Sequence, residues 1–146
     1  MTVDRGRFTL ESDDGNVLYA VKARELGRKG IVVGDRVGIV GDISGDVDTQ
    51  ARIVRRLERT STLRRTADDT DPVERVIVAN ATQLAVVTAT TDPEPRTGLI
   101  DRTVVAALDA GITPMLVVTK TDLKPADELL ALYGPLDLPV FIGRHR

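Results

Sequence analysis

Apolar residues follow two different rhythms along this chain. Up to about residue 58 they come in short runs broken by turns. Arg7-Phe8-Thr9-Leu10 and Val17-Leu18-Tyr19-Ala20-Val21 flank Ser12-Asp13-Asp14-Gly15-Asn16. A polar, Gly-containing connection between β-prone runs predicts a hairpin. Gly27-Arg28-Lys29-Gly30 reads as a loop. Ile31 to Val40 reads as two β-rich runs around a Gly34-Asp35 turn. Gly41 to Asp48 is a Gly- and Asp-rich loop, and Gln50 to Arg55 a last strand. This density of short strands predicts a small β-barrel of the OB or SH3-like type over residues 1–58. A β-meander without a ligand fits the same pattern. Residues 59–74 lack sustained apolar periodicity and read as an interdomain linker.

From Arg75 the rhythm changes. Val76-Ile77-Val78-Ala79 and Leu84-Ala85-Val86-Val87-Thr88-Ala89 are continuous apolar runs, the signature of strands covered on both faces. Leu99 to Ala110 places Ile100, Val104, Ala107 and Leu108 on one helical face. Gly111 is positioned to close that helix in a left-handed conformation. Pro114 leads into the strand Met115-Leu116-Val117-Val118. Ala126 to Tyr133 predicts a second helix, ended by Gly134-Pro135, and Leu138 to Ile142 a third strand. The β-α-β-α-β order over 75–146 implies a parallel sheet with right-handed crossovers.

Composition narrows the chemistry. The 146 residues contain no Cys, which excludes disulfides, thiolate zinc sites and cysteine nucleophiles within them. No apolar run approaches the ~20 residues that span a bilayer, and Met1-Thr2-Val3-Asp4-Arg5 lacks a signal-peptide core. These features fit a cytoplasmic protein without a membrane partner. Net charge is −2, so any affinity for nucleic acid must come from local clustering. Such a cluster exists. Arg52, Arg55, Arg56, Arg59, Arg64 and Arg65 crowd the end of the barrel and the segment after it, with Glu58 the only acid among them. A basic stripe of this kind is what phosphate backbones select. The competing reading is a solvated linker whose arginines pair with Asp68, Asp69, Asp71 and Glu74. Only Phe8 and Tyr19 supply aromatic platforms in the barrel, so backbone contacts would dominate RNA binding.

Thr119-Lys120-Thr121-Asp122 follows the Met115–Val118 strand directly. In open α/β sheets, ligands bind at the carboxyl ends of strands. A carboxylate there presents two acceptors to the N1–H and N2–H₂ donors of guanine, and adenine offers no such pair. Lys120 can lay its aliphatic stem along a base and direct its ammonium toward ribose or backbone oxygens. In an unrelated α/β enzyme, Lys120 and Asp122 would instead do acid–base work.

Four stretches together resemble the ribosome small-subunit-dependent GTPase A family, whose GTPase domain is circularly permuted. They are Val33-Gly34-Asp35-Arg36-Val37; Leu63-Arg64-Arg65; Val76 to Leu84; and Ile100-Asp101-Arg102 followed by Gly111 to Leu123. The resemblance implies an OB-fold domain contacting rRNA of the small ribosomal subunit. It further implies a P-loop-GTPase-like domain reading GTP or GDP through Thr119, Lys120 and Asp122, in a monomer. The usual guanine motif is Asn-Lys-x-Asp, and Thr119 stands in the Asn position. Its hydroxyl makes fewer bonds than an amide, so the loop is expected to lose some bracing. The family continues with the phosphate-binding loop, the Mg²⁺-binding threonine, the Asp-x-x-Gly switch and a zinc-binding C-terminal region. None of these follows Asp122 within the 146 residues. The expectation is a stretch that holds no catalytic residue or metal ligand, does not hydrolyse GTP alone, and leaves part of its sheet exposed. His145 is expected to be exposed and without a role. A non-enzymatic RNA-binding module on a nucleotide-inert α/β scaffold is the alternative.

Overall fold

The computed structural model describes residues 2–4, 6–26, 30–46, 50–68 and 71–143. His145, Asp69 and the Gly27–Lys29 loop therefore lie outside the described residues, as does part of the loop read at Gly41–Asp48. The chain folds as two units, Met1–Asn80 and Ala81–Arg146.

In the first unit, β1 (Thr2–Asp4), β2 (Arg7–Glu11), β3 (Val17–Lys22), β4 (Val37–Val40) and β5 (Ala51–Arg56) form one sheet in the order β1-β2-β3-β5-β4. The expected hairpin joins β2 to β3. Gly15 takes φ +81° in the turn, and Ser12 accepts from Gly15 and donates to Asn16 through the backbone, both at 2.9 Å. Strands β3 and β5 run parallel, with Ala20 opposite Ala51, and the remaining pairs are antiparallel. Period-two alternation buries Phe8, Leu10, Leu18, Ala20, Ala51 and Ile53 on one side, where Leu26 joins them. It turns Arg7, Val17, Arg52 and Val54 outward. The sheet is mixed, and no pairing between its two edge strands closes it among the described residues.

Three sequence expectations change in this unit. The segment read as a linker contains β6 (Thr62–Asp68), which pairs antiparallel with β7 (Asp71–Ala79). The Val76–Ala79 run thus belongs to this ribbon and not to the parallel sheet. Apolar alternation did not reveal the ribbon because polar and backbone groups anchor it. Ala79 N–H donates to the Val33 carbonyl at 2.9 Å, and the Asn80 amide donates to the Gly34 carbonyl at 2.8 Å. Thr60 N–H in turn donates to Asn80 Oδ1 at 2.8 Å. Gly34, at φ +88°, is required here, since a Cβ would sit 1.9 Å from the Ala79 carbonyl oxygen. Ile31 to Val33 supplies one isolated bridge, Val33 to Val78, instead of a full strand.

The second unit follows the expected order. Strand β8 (Gln83–Ala89), helix α1 (Thr97–Asp109), strand β9 (Thr113–Thr119), helix α2 (Asp127–Tyr133) and strand β10 (Val140–Ile142) build a parallel sheet ordered β10-β9-β8. Gly111, at φ +70°, closes α1 as expected, and Ile112 N–H reaches the Ala107 carbonyl at 2.8 Å. Each crossover steps to the next strand in the same direction, and crossovers of one hand then put both helices on one face. Val86, Leu116 and Val118 accordingly pack with Ile100, Val104, Ala126, Leu129 and Tyr133. The opposite face carries a row in register across the three strands: Val87, Val117 and Phe141. Val87 is 64% exposed and Phe141 55%, which is unusual for parallel strands.

Candidate functional site

The carboxyl ends of the three parallel strands lie side by side, and those of β8 and β9 lead into loops. Beyond β8 comes Thr90–Arg96, beyond β9 Lys120–Ala126, and beyond β10 Gly143. The apolar strand interiors fix this edge: Val118 is fully buried and Leu116 nearly so. Side chains emerging from the ends are therefore held by a rigid floor.

Lys120 turns the chain out of β9 with φ +59°. A non-glycine residue in that region costs about 1–2 kcal/mol, which surrounding contacts must offset. They are present. The Lys120 carbonyl accepts from Leu123 N–H at 3.0 Å, Lys124 N–H at 3.3 Å and the Thr90 hydroxyl at 2.8 Å. Thr90 N–H donates to the Thr119 carbonyl at 3.1 Å, and the Thr119 hydroxyl donates to the Thr88 carbonyl at 3.3 Å. Lys120 Nζ donates to the Asp92 carbonyl. On the other side, the Thr121 hydroxyl lies 3.5 Å from the Gly143 carbonyl, and Gly143 N–H donates to Val118 at 2.8 Å. The loop is thus tied to both neighbouring strand ends. Asp122 is exposed, and its carboxylate makes no hydrogen bond or ion pair among the described residues. Both its oxygens face water with unspent acceptor capacity.

Thr119 thus ends β9, and Lys120 and Asp122 follow it in the braced loop. Sequence reading missed Thr90 and Asp92, which hold that loop from β8. The Thr90-Thr91-Asp92-Pro93 run, turn-forming residues just past a strand, was the available signal. Beside Thr90 opens a cavity of about 270 Å³ whose lining includes Thr97, Leu129 and Leu132. Lys124 pairs with Glu94 (3.4 Å) and Glu128 (3.8 Å) at its rim.

The six arginines of the basic stripe separate into groups. Arg59 makes a bidentate pair with Asp35, Nε to Oδ1 and Nη2 to Oδ2, both 2.7 Å. The Asp35 side chain is fully buried. Burial pushes the Asp35 carboxyl up. The Arg59 hydrogen bonds, Val32 N–H and the positive charges of Arg59 and Arg56 outweigh burial and leave it below the usual carboxylate range. Arg59 Nη2 and Arg56 Nη1 both reach the Gly30 carbonyl, at 3.2 and 3.0 Å. These two arginines fix the Gly30–Asp35 loop. Arg52, Arg55 and Arg64 are exposed. The Arg65 side chain, like those of Asp68, Asp71 and Glu74, lies outside the described residues, so the proposed pairing with acids falls there too. No group of three or more His, Cys, Asp or Glu able to hold a metal occurs among the described residues. None of their helices is long and apolar enough to cross a membrane.

Comparison with known proteins places this geometry. The family model described as RsgA GTPase matches residues 56–144. Curated relatives named small ribosomal subunit biogenesis GTPase RsgA include one from Nitrosomonas europaea, 39% identical over 133 residues. That match covers 86% of this chain and 40% of the relative. Another, from Azotobacter vinelandii, is 36% identical over 140 residues, covering 90% of this chain and 38% of the relative. The chain thus spans about two-fifths of the length of these two relatives. Among solved structures, the circularly permuted GTPase YloQ superposes with a TM-score of 0.70 at 20% identity, covering 99% of this chain and 50% of that one. YjeQ from Thermotoga maritima gives 0.67 at 26% identity, with 96% and 48% coverage.

Proposed function

Because the chain belongs to the RsgA GTPase family, we propose that it provides the base-reading and RNA-contacting parts of a GTPase acting in biogenesis of the small ribosomal subunit. The observation that carries this reading is the braced loop at the carboxyl end of β9, which presents Asp122 with both acceptors unspent. In this reading Asp122 accepts from guanine N1–H and N2–H₂. The Lys120 stem lies along the base, and Thr119 ties the loop to β8. In this reading the unit from Ala81 onward supplies the guanine site, and the unit up to Asn80, which includes the β6–β7 ribbon, carries the RNA-contacting part. The 146 residues contain no Gly-x-x-x-x-Gly-Lys-Ser/Thr loop.

For residues 1–58, the β1-β2-β3-β5-β4 order with a parallel β3–β5 pair supports an OB-type barrel; in this reading it contacts rRNA, in the cytoplasm. Arg52, Arg55 and Arg64 are the exposed members of the basic stripe, with Arg65 adjacent in sequence. Arg52 lies opposite Val21, which lies opposite Arg7. Arg7 and Arg52 therefore form an outward basic row about 10 Å across, two strand spacings.

The test is equilibrium binding of guanosine monophosphate to the full chain. Asp122→Asn should weaken it by about tenfold, the loss expected when a charge-assisted pair becomes mismatched. It should also strengthen xanthosine monophosphate, whose O2 acceptor suits an amide donor. Equal affinity for guanosine and adenosine monophosphates in the wild type would sink the base-reading assignment. RNA binding alongside such indifference would favour the RNA-binding module on an inert scaffold.

A further inference from the structure

We propose that Thr90 is the positioning residue of the guanine-reading loop, taking over the bracing that an Asn at position 119 would supply. The inference rests on the base-reading assignment above and adds to it a residue on a different strand end. Thr90 is one of the few buried polar residues described, at 2% exposure. A buried hydroxyl must find a partner, and this one donates to the carbonyl of Lys120 at 2.8 Å. Its own N–H donates to the preceding carbonyl, Thr119, at 3.1 Å. Two successive carbonyls of the loop are thus held by one residue of β8's carboxyl end.

The geometry explains why this site matters. Lys120 carries the positive φ that swings the loop off the sheet edge. Its peptide orientation sets where the next two residues project, and Asp122 is the second. The Thr119 hydroxyl makes a 3.3 Å contact to the Thr88 carbonyl of β8, longer than the Thr90 bond. Lys120 Nζ meets the carbonyl of Asp92, two residues beyond Thr90. The segment from Thr90 to Asp92 therefore grips Lys120 at both its carbonyl and its ammonium. Thr90→Val keeps the backbone N–H and the side-chain shape but removes the hydroxyl donor. The Lys120 carbonyl then retains only the turn's own amides, and Asp122 loses its fixed reach toward the base.

The test compares guanosine and inosine monophosphates on the full chain, wild type, Thr90→Val and Thr90→Ser, by ligand-observed NMR titration. Inosine lacks the 2-amino group, so the ratio of the two affinities reports how well Asp122 is placed. The wild type should prefer guanosine. Thr90→Val should weaken guanosine by about tenfold, the worth of one Asp122–base hydrogen bond no longer in place, and bring the ratio toward one. Thr90→Ser should restore both. A merely structural role would lower the melting temperature and leave the ratio unchanged in the folded protein; an unchanged ratio overturns the proposal while the base-reading assignment stands. A wild type that binds both nucleotides equally removes that assignment, and this inference with it.

Discussion

At the scale of single residues, chemistry is concentrated where polar groups are buried. Asp35 and Arg59 are the clearest case. Replacing Arg59 by Met leaves a buried carboxylate without its partner, a change that typically costs about 3–5 kcal/mol. Chemical denaturation of Arg59→Met should show a loss at the lower end of that range, because Arg59 keeps 15% of its side chain exposed. The pH dependence has a definite sign. The Asp35 carboxyl sits below its ordinary 3.8 in the folded chain. Its contribution is full above that value and is lost as pH falls through the lower folded value. Asp35→Asn should therefore flatten the acid limb of the stability curve. The placement of Lys120 and Asp122 in a loop at a strand's carboxyl end is legible in the sequence, because a loop directly after an apolar strand has only one place to go. Arg59 reads in sequence as a surface cation because Asp35 lies 24 residues upstream, and no local pattern joins the two.

At the scale of elements, α1 and α2 are stapled by a polar contact that periodicity does not show. Tyr133, at the end of α2, is buried, and its hydroxyl donates to Asp101 Oδ1 at 2.9 Å in the second turn of α1. Burial, then the hydrogen bond to Asp101 and its negative charge, push the phenol up to about 12. The folded chain thus holds this proton more tightly than the unfolded one. The contribution is complete below the ordinary value near 10 and disappears between about pH 10 and 12, at about 1.4 kcal/mol per pH unit. Thermal melts of Tyr133→Phe should show lower stability at pH 8 but a shallower fall above pH 10 than the wild type. The helices and parallel strands were readable because each buries a periodic apolar face. The β6–β7 ribbon was not. Thr62 to Asp68 carries only Leu63 and Ala67 as apolar residues, and Asn80 and Gly34 anchor the ribbon through backbone carbonyls that no composition rule counts. Gly34→Ala tests that account, since the new methyl meets the Ala79 carbonyl oxygen. Hydrogen exchange should show Ala79 and Val33 losing protection ahead of the β2–β3 pair.

At the scale of the whole molecule, the two units carry separate cores, and the proposed activities divide along the same line. Arg52 and Arg55 project from β5 of the first unit, while Asp122 and Thr90 sit at the sheet edge of the second. Each activity should therefore respond to substitutions in its own unit. Phosphate contacts are read from salt dependence rather than from affinity at one ionic strength. The slope of log K against log salt for a single-stranded RNA should fall by about 0.7 for each phosphate contact removed. Arg52→Gln with Arg55→Gln should reduce it by about twice that, with guanosine monophosphate binding unchanged. Asp122→Asn should do the reverse, leaving the RNA slope intact. Arg59→Gln separates a surface cation from a structural one. If Arg59 met phosphate, its slope change would match that of Arg52. Because Arg59 is spent on Asp35, the variant should lose stability, and at temperatures where it stays folded its slope should equal that of the wild type.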